Sequence, residues 1–383
     1  MILYGRQDIS PQDIAAVVEV LNSDFLTQGP RVPAFEQAIC DLTQATHAVA
    51  VNSATSALHI ACLALGVGAG DLVWTSPITF VASANCALYC GAEVDFVDVE
   101  PTTGNMSPAA LKAKLETAQT RGRLPKVIIP VHLAGHSCDM KTIGALARQY
   151  GVSLVEDASH SVGGTYDGDR IGACSYSDIT VFSFHPVKII TTAEGGVATT
   201  NDARLAEKMA LYRSHGITKA VEKLQRPDEG PWYYEQQELG FNYRMTELQA
   251  ALGLSQLDRL QTFVEIRNRL AESYRSALTG SAVKTVDPLA GSLSAYHLQI
   301  VRLPDPAKRR AVFEKMQADG IQVHVHYFPV HLQPYYLGLG FKEGDFPDAE
   351  AFYRKIMTLP LHPGIKVKEV DYIVECLLTH VST

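Results

Sequence analysis

The chain has 383 residues, 46% hydrophobic and 19% charged, with a net charge of -8. That composition is globular, long enough for two domains and a sizeable core, and carries no electrostatic footprint for nucleic acid or an anionic membrane. No apolar run reaches a membrane span and no signal-peptide pattern opens the chain, while seven scattered cysteines read as buried free thiols of a reducing cytosol, so a cytoplasmic protein is expected.

Short apolar strands alternate with helical stretches through the first two-thirds. Strands are predicted at 48–51, 72–74, 93–97, 126–131, 152–155, 179–184 and 196–199. Amphipathic stretches lie between them at 55–65, 80–90, 108–120, 139–150 and 202–212. Apolar runs each followed by a helix predict an α/β fold, a mostly parallel sheet flanked by helices. A helical pattern then runs from 246 to 278. A β-like stretch at 296–303, a helix at 308–317, a strand at 322–325 and a terminal helix at 367–378 predict a smaller α+β C-terminal domain. The division is expected at 1–250 and 251–383.

Ligands of open α/β sheets collect outside the carboxyl ends of the strands, so residues just after each strand carry the most information. After the first strand, Asn52-Ser53-Ala54-Thr55-Ser56 is a small polar turn opening a helix. It reads as a phosphate site on free N–H groups, or equally as an ordinary N-cap at Ser53 or Thr55. After the second strand, Phe80 is either a stacker for a flat ring or a core aromatic. The strand at 152–155 runs into Glu156-Asp157-Ala158-Ser159-His160. This is a metal-binding cluster, a carboxylate for a protonated pyridine nitrogen, or a capping cluster.

The strand at 179–184 leads into Ser183-Phe184-His185-Pro186-Val187-Lys188 and then Gly195-Gly196. A lysine there is a surface residue on a turn, or a buried amine with a lowered pKa suited to holding a cofactor aldehyde as a Schiff base. Further on, Asn242 and Arg244 precede the long helix, as phosphate contacts or as part of a helix start. His324 and His326 alternate onto one face, but no third metal ligand stands at the expected spacing, so no metal site is predicted. Taken in chain order, these signals supply a phosphate cradle, a ring stacker, a ring-nitrogen carboxylate and a Schiff-base lysine. That set suits pyridoxal 5'-phosphate.

On these motifs, with Leu26-Thr27-Gln28-Gly29-Pro30, Arg213-Ser214-His215-Gly216 and Gly240-Phe241-Asn242-Tyr243-Arg244, the chain resembles the DegT-type sugar aminotransferases. These are pyridoxal-phosphate enzymes of the aspartate-aminotransferase-like fold type I, and the match covers nearly the whole chain. Segments 190–196, 325–331 and 359–362 are most similar to the branch that aminates a 4-keto UDP-sugar for pseudaminic acid. The resemblance implies that Lys188 binds the cofactor and shuttles protons. It puts Asp157 at the ring nitrogen, His160 near the phenolic oxygen and Phe80 on the ring face. Ala54, Thr55 and Ser183 would hold the phosphate.

Asn242 would reach that phosphate from a partner subunit, which implies a homodimer with shared active sites. The amino donor would be L-glutamate and the acceptor a nucleotide sugar, with pyridoxamine 5'-phosphate as the intermediate cofactor form. Candidate sugar-nucleotide contacts are Arg213, His326, Tyr327 and position 6, which is Arg6, two residues beyond Tyr4. Each is equally readable as a turn or interface residue. Another keto-sugar, an amino-acid substrate, or a regulatory protein on the same fold remain as alternatives. An intact Lys188 and Asp157 argue against the last.

Overall fold

The computed structural model describes residues 1–382. Seven strands form the main sheet: β1 (His47–Val51), β2 (Leu72–Thr75), β3 (Glu93–Phe96), β4 (Val127–Ile129), β5 (Ser153–Asp157), β6 (Ile179–Ser183) and β7 (Gly196–Thr200). Their spatial order is β1-β7-β6-β5-β4-β2-β3. Four of the six neighbouring pairs run parallel and only β7 opposes its neighbours, so the sheet is mostly parallel as expected.

Among the described residues, thirteen α-helices pack around it and around a second, smaller sheet. They are α1 (Pro11–Leu21), α2 (Arg31–Thr43), α3 (Ala54–Ala64), α4 (Ala82–Tyr89), α5 (Pro108–Thr120), α6 (Met140–Tyr150) and α7 (Ala203–Arg213), followed by α8 (Glu247–Leu257), α9 (Leu260–Ala277), α10 (Arg309–Ala318), α11 (Pro334–Leu337), α12 (Pro347–Lys355) and α13 (Val367–Ser382).

Strand alternation sends neighbouring residues to opposite faces of the sheet. Val127, Ile129 and Val155 join one buried cluster with Leu58 and Ile60 of α3 and Ala84 and Ala87 of α4. Ile128 and Leu154 join another with Leu111 and Leu115 of α5 and Ile143 of α6. Covered on both faces, these strands need the continuous apolar runs that made them readable. The smaller sheet is antiparallel, β8 (Lys284–Thr285), β9 (Gln299–Arg302) and β10 (Ile356–Leu359), and shares a core with α9, α10 and α13.

Four expectations change. Helices α1 and α2 precede the first strand and were not predicted; α1 opens with a reciprocal capping box between Ser10 and Asp13. The helical pattern at 246–278 is two helices, broken at Asp258 and Arg259. Segment 322–325 is no strand, only a single bridge from His324 to Thr358. The seven thiols are free, but only Cys62, Cys86 and Cys138 are fully buried.

Helix α9 packs its start (Phe263, Val264) with the large body and its end (Leu270, Tyr274) with the small one. The expected division at 250 falls inside α8, which packs on α1 and α2. We propose the α8–α9 break as the boundary. Residue 383, the end of the expected small domain, lies outside the described residues.

Candidate active site

Strand β5 ends at Asp157, whose backbone is clamped by Pro130 and His132 (Asp157 N to Pro130 O, 2.9 Å; His132 N to Asp157 O, 3.1 Å). Its carboxylate is aimed from both sides. Oδ2 accepts from Ser83 Oγ at 2.6 Å, and Oδ1 accepts from Ser159 N and Oγ at 3.1 and 2.6 Å. Ser83 in turn meets Thr79 Oγ1 at 2.8 Å. No sequence signal pointed to Ser83.

Next in the sheet, β6 ends at Ser183, and a loop to Gly195 is closed at its base by Phe184 N to Gly195 O, 2.9 Å, and Thr192 N to Phe184 O, 3.0 Å. Lys188 rises from this loop. Part of its side chain opens onto a cavity, but the surrounding protein is dense. Burial pushes its pKa down to about 8, and the Asp157 carboxylate pulls it back only in part.

At the end of β1, Ser53 caps α3 by accepting from Ser56 N at 3.1 Å. The amides of Ala54 and Thr55, in the first turn, have no carbonyl within their own helix to meet. Gly196 lies against this turn. A Cβ there would fall 2.5 Å from Ala54 N, so a residue without a side chain lets the turn keep its place.

Lys188, Asp157, His160, Ser183, Ala54, Thr55 and Phe80 all line one cavity of about 730 Å³. Phe80 is 59% exposed, so it is not a core aromatic. His160 is buried, with Nδ1 facing Ala134 N at 3.2 Å and Nε2 facing the Tyr327 hydroxyl at 3.2 Å. His326 and Tyr327 form the opposite wall. His326 Nδ1 meets Thr358 Oγ1 at 2.9 Å, and its ring stacks on His324 with centroids 4.4 Å apart. Burial lowers the His326 pKa to about 3, helped by His324 and Lys188, so it is neutral. Among the described residues no group of three or more His, Cys, Asp or Glu side chains has the arrangement of a metal site.

Three sequence candidates stand elsewhere. Arg213 is engaged by Glu36 at 2.5 Å and by the Ala50 carbonyl at 2.8 Å, outside the cavity. Asn242 is exposed on the surface, bridged through its backbone to Ser214. The candidate at position 6 is corrected: Arg6 is exposed and does not line the cavity, whereas Tyr4 does. Tyr4 is fixed there because its N–H reaches Gln322 Oε1 at 3.2 Å and its carbonyl accepts from Leu361 at 3.0 Å. His297 also lines the cavity, its ring 4.4 Å from that of His160, and no motif pointed to it.

Residues 7–378 match the DegT/DnrJ/EryC1/StrS aminotransferase family. The spore coat polysaccharide biosynthesis protein SpsC of Bacillus subtilis is 38% identical, over 98% of this chain and 95% of its own. The UDP-4-amino-4,6-dideoxy-N-acetyl-beta-L-altrosamine transaminase of Campylobacter jejuni is 36% identical, over 99% and 97%. Among solved structures, the Helicobacter pylori aminotransferase PseC superposes with a TM-score of 0.91 at 32% identity, over 100% and 99% of the two chains. The PLP-form of the sugar aminotransferase Spr1654 of Streptococcus pneumoniae gives 0.90 at 31%, over 100% and 98%.

The cavity fits pyridoxal phosphate. A helix N-terminus kept open by Gly196 suits a phosphate, a doubly held carboxylate suits a protonated ring nitrogen, and a half-buried amine with a lowered pKa suits an aldehyde. The chain belongs to the DegT/DnrJ/EryC1/StrS aminotransferase family and is a pyridoxal-phosphate enzyme of fold type I.

Proposed function

We propose that the enzyme transfers an amino group from L-glutamate to C4 of UDP-2-acetamido-2,6-dideoxy-β-L-arabino-hexos-4-ulose, the aminated sugar being a precursor of pseudaminic acid. One observation carries the reading: a single cavity holds Lys188 and Asp157 at adjoining strand ends, with room beyond them toward Tyr4, His324 and His326. The resemblance to the Campylobacter transaminase and to PseC supports the choice of sugar.

Pyridoxal phosphate, when bound, supplies an electron sink and carries the amino group between the two substrates. Asp157 keeps a proton on the ring nitrogen. Ala54, Thr55 and Ser183 hold the phosphate, with Asn242 of a second copy of the chain, and Phe80 covers the ring. The Lys188 amine removes the proton from Cα of glutamate and later delivers one to C4 of the sugar. With its pKa near 8, a useful fraction of that amine is neutral at physiological pH. His326, Tyr327 and Tyr4 line the side from which the sugar nucleotide enters. The site works as a homodimer, and the enzyme acts in the cytoplasm.

A second reading, another keto-sugar, is favoured by SpsC, whose name places it in spore coat polysaccharide biosynthesis. The test is to convert the enzyme to its pyridoxamine form with glutamate and mix it with UDP-, GDP- and dTDP-linked keto-sugars. Return of the visible cofactor absorbance with the UDP-linked N-acetyl 4-keto sugar alone is expected. Return only with a GDP- or dTDP-sugar would refute the assignment and favour the second reading.

A further inference from the structure

His160 has a fixed tautomer. Burial holds the imidazole neutral, and the positive charge of Lys188 pushes its pKa down further. Nδ1 faces the Ala134 amide, which can only donate, so Nδ1 accepts and the single ring proton sits on Nε2.

The direction of that amide is built into the loop after β4. Ala134 sits at φ 62, Leu133 N is held by Asn105 Oδ1 at 3.0 Å, and Asn105 Nδ2 holds the carbonyls of His136 and Ser137 at 3.0 and 3.1 Å. Gly135 packs so close that a Cβ would lie 2.8 Å from the His160 carbonyl.

The Nε2–H therefore donates to the Tyr327 hydroxyl, 3.2 Å away, with the two rings near parallel at 22°. That bond fills the acceptor side of the hydroxyl oxygen. The phenol keeps its own proton, since burial raises its pKa and Asp157 and Tyr4 raise it further. Among the described residues no other group is bonded to this hydroxyl, and Tyr327 lines the cavity.

We propose that Tyr327 is the hydrogen-bond donor to the phenolic oxygen of the cofactor, and that His160 is a positioning residue acting through Tyr327. A direct hydrogen bond from His160 to that oxygen would require the one proton that it has already committed. The inference rests on the cofactor assignment and is independent of which sugar is used. The carbonyl oxygen of the sugar is the other oxygen acceptor in such a site, and the test separates the two.

The measurement is the pH midpoint of the visible absorbance of holoenzyme without sugar. A donor on the phenolic oxygen stabilises its anion, so deleting the donor lets that oxygen and its neighbouring nitrogen hold a proton to higher pH. Tyr327→Phe is expected to raise the midpoint by about one pH unit, the size of one charge-assisted hydrogen bond. His160→Gln, with one amide atom to accept from Ala134 and one to donate to Tyr327, is expected to stay near wild type. His160→Phe, which frees the hydroxyl to turn, is expected to shift upward.

Lys188, Asp157, His297, His326 and Tyr4 also face this centre. Tyr4→Phe is the control and should leave the midpoint in place. An unshifted midpoint in Tyr327→Phe with full cofactor occupancy overturns the proposal, and a raised KM for the keto-sugar in that variant would then assign the hydroxyl to the sugar. Should Tyr327→Phe fail to fold, an unshifted midpoint in His160→Phe overturns the proposal as well. A wild-type protein without borohydride-bleachable absorbance would instead refute the cofactor assignment.

Discussion

An ammonium crowded by protein loses part of its hydration, and the Asp157 carboxylate near Lys188 makes up only some of that loss. Its pKa falls from 10.5 to about 8 because burial outweighs the attraction of Asp157. Between those two values the unfolded chain binds a proton that the folded chain has released, so the stability of the cofactor-free protein rises with pH across that window. Below about pH 8 the folded state carries the full cost. Lys188→Met should therefore raise the thermal midpoint of the apo protein at pH 7, with the gain fading toward pH 10.5. Equal midpoints at pH 7 would show that the ammonium is solvated after all. The lysine was legible because it follows a buried strand with a serine and a glycine pair nearby. Ser83, which holds the Asp157 carboxylate from 74 residues away, was not legible, since nothing local marks a serine on a helix as a partner.

At the scale of elements, strands were readable where burial on both faces demands continuous apolar residues, as in Val127–Ile129 and Ile179–Ser183. The break between α8 and α9 was not readable, because its cause is remote in sequence. At the break Arg259 bonds Asp8 Oδ1 at 2.5 Å and the buried Asp13 Oδ2 at 2.6 Å, and it stacks over Phe263. Asp13 also accepts from Ser255 and Gln256, so the N-terminal helix is tied to α8 through one carboxylate. Arg259→Ala leaves that carboxylate buried without its cation and should cost about 2–4 kcal/mol in denaturant unfolding. A loss below about 0.5 kcal/mol would mean that the neighbouring hydrogen bonds suffice.

At the scale of the molecule, the sites assigned to cofactor and substrate do not all meet in one chain. Asn242 lies on the surface, and α1 shows Ile14, Val18 and Leu21 to solvent beside Phe25 and Leu26. An apolar stripe of that kind suits an interaction surface, and on the proposed reading a second copy would cover it and also supply Asn242. Mixing Lys188→Ala with Asn242→Ala under subunit exchange should then restore activity. Half the dimers are hybrids with one intact site of two, so about a quarter of wild-type activity is expected. No recovery, with exchange verified by mass, would place Asn242 outside the shared site.

The strands of the main sheet and the helices between them, the polar turn after β1, Asp157 and Lys188 were legible in the sequence itself, because burial periodicity and strand-end chemistry are local. Which tyrosine faces the cavity, which serine holds Asp157, and which nitrogen of His160 carries the proton were decided only by the tertiary structure. Each of those depends on a contact between residues far apart in the chain, such as Tyr4 with Leu361 or Ala134 with His160, and no local pattern encodes such a contact.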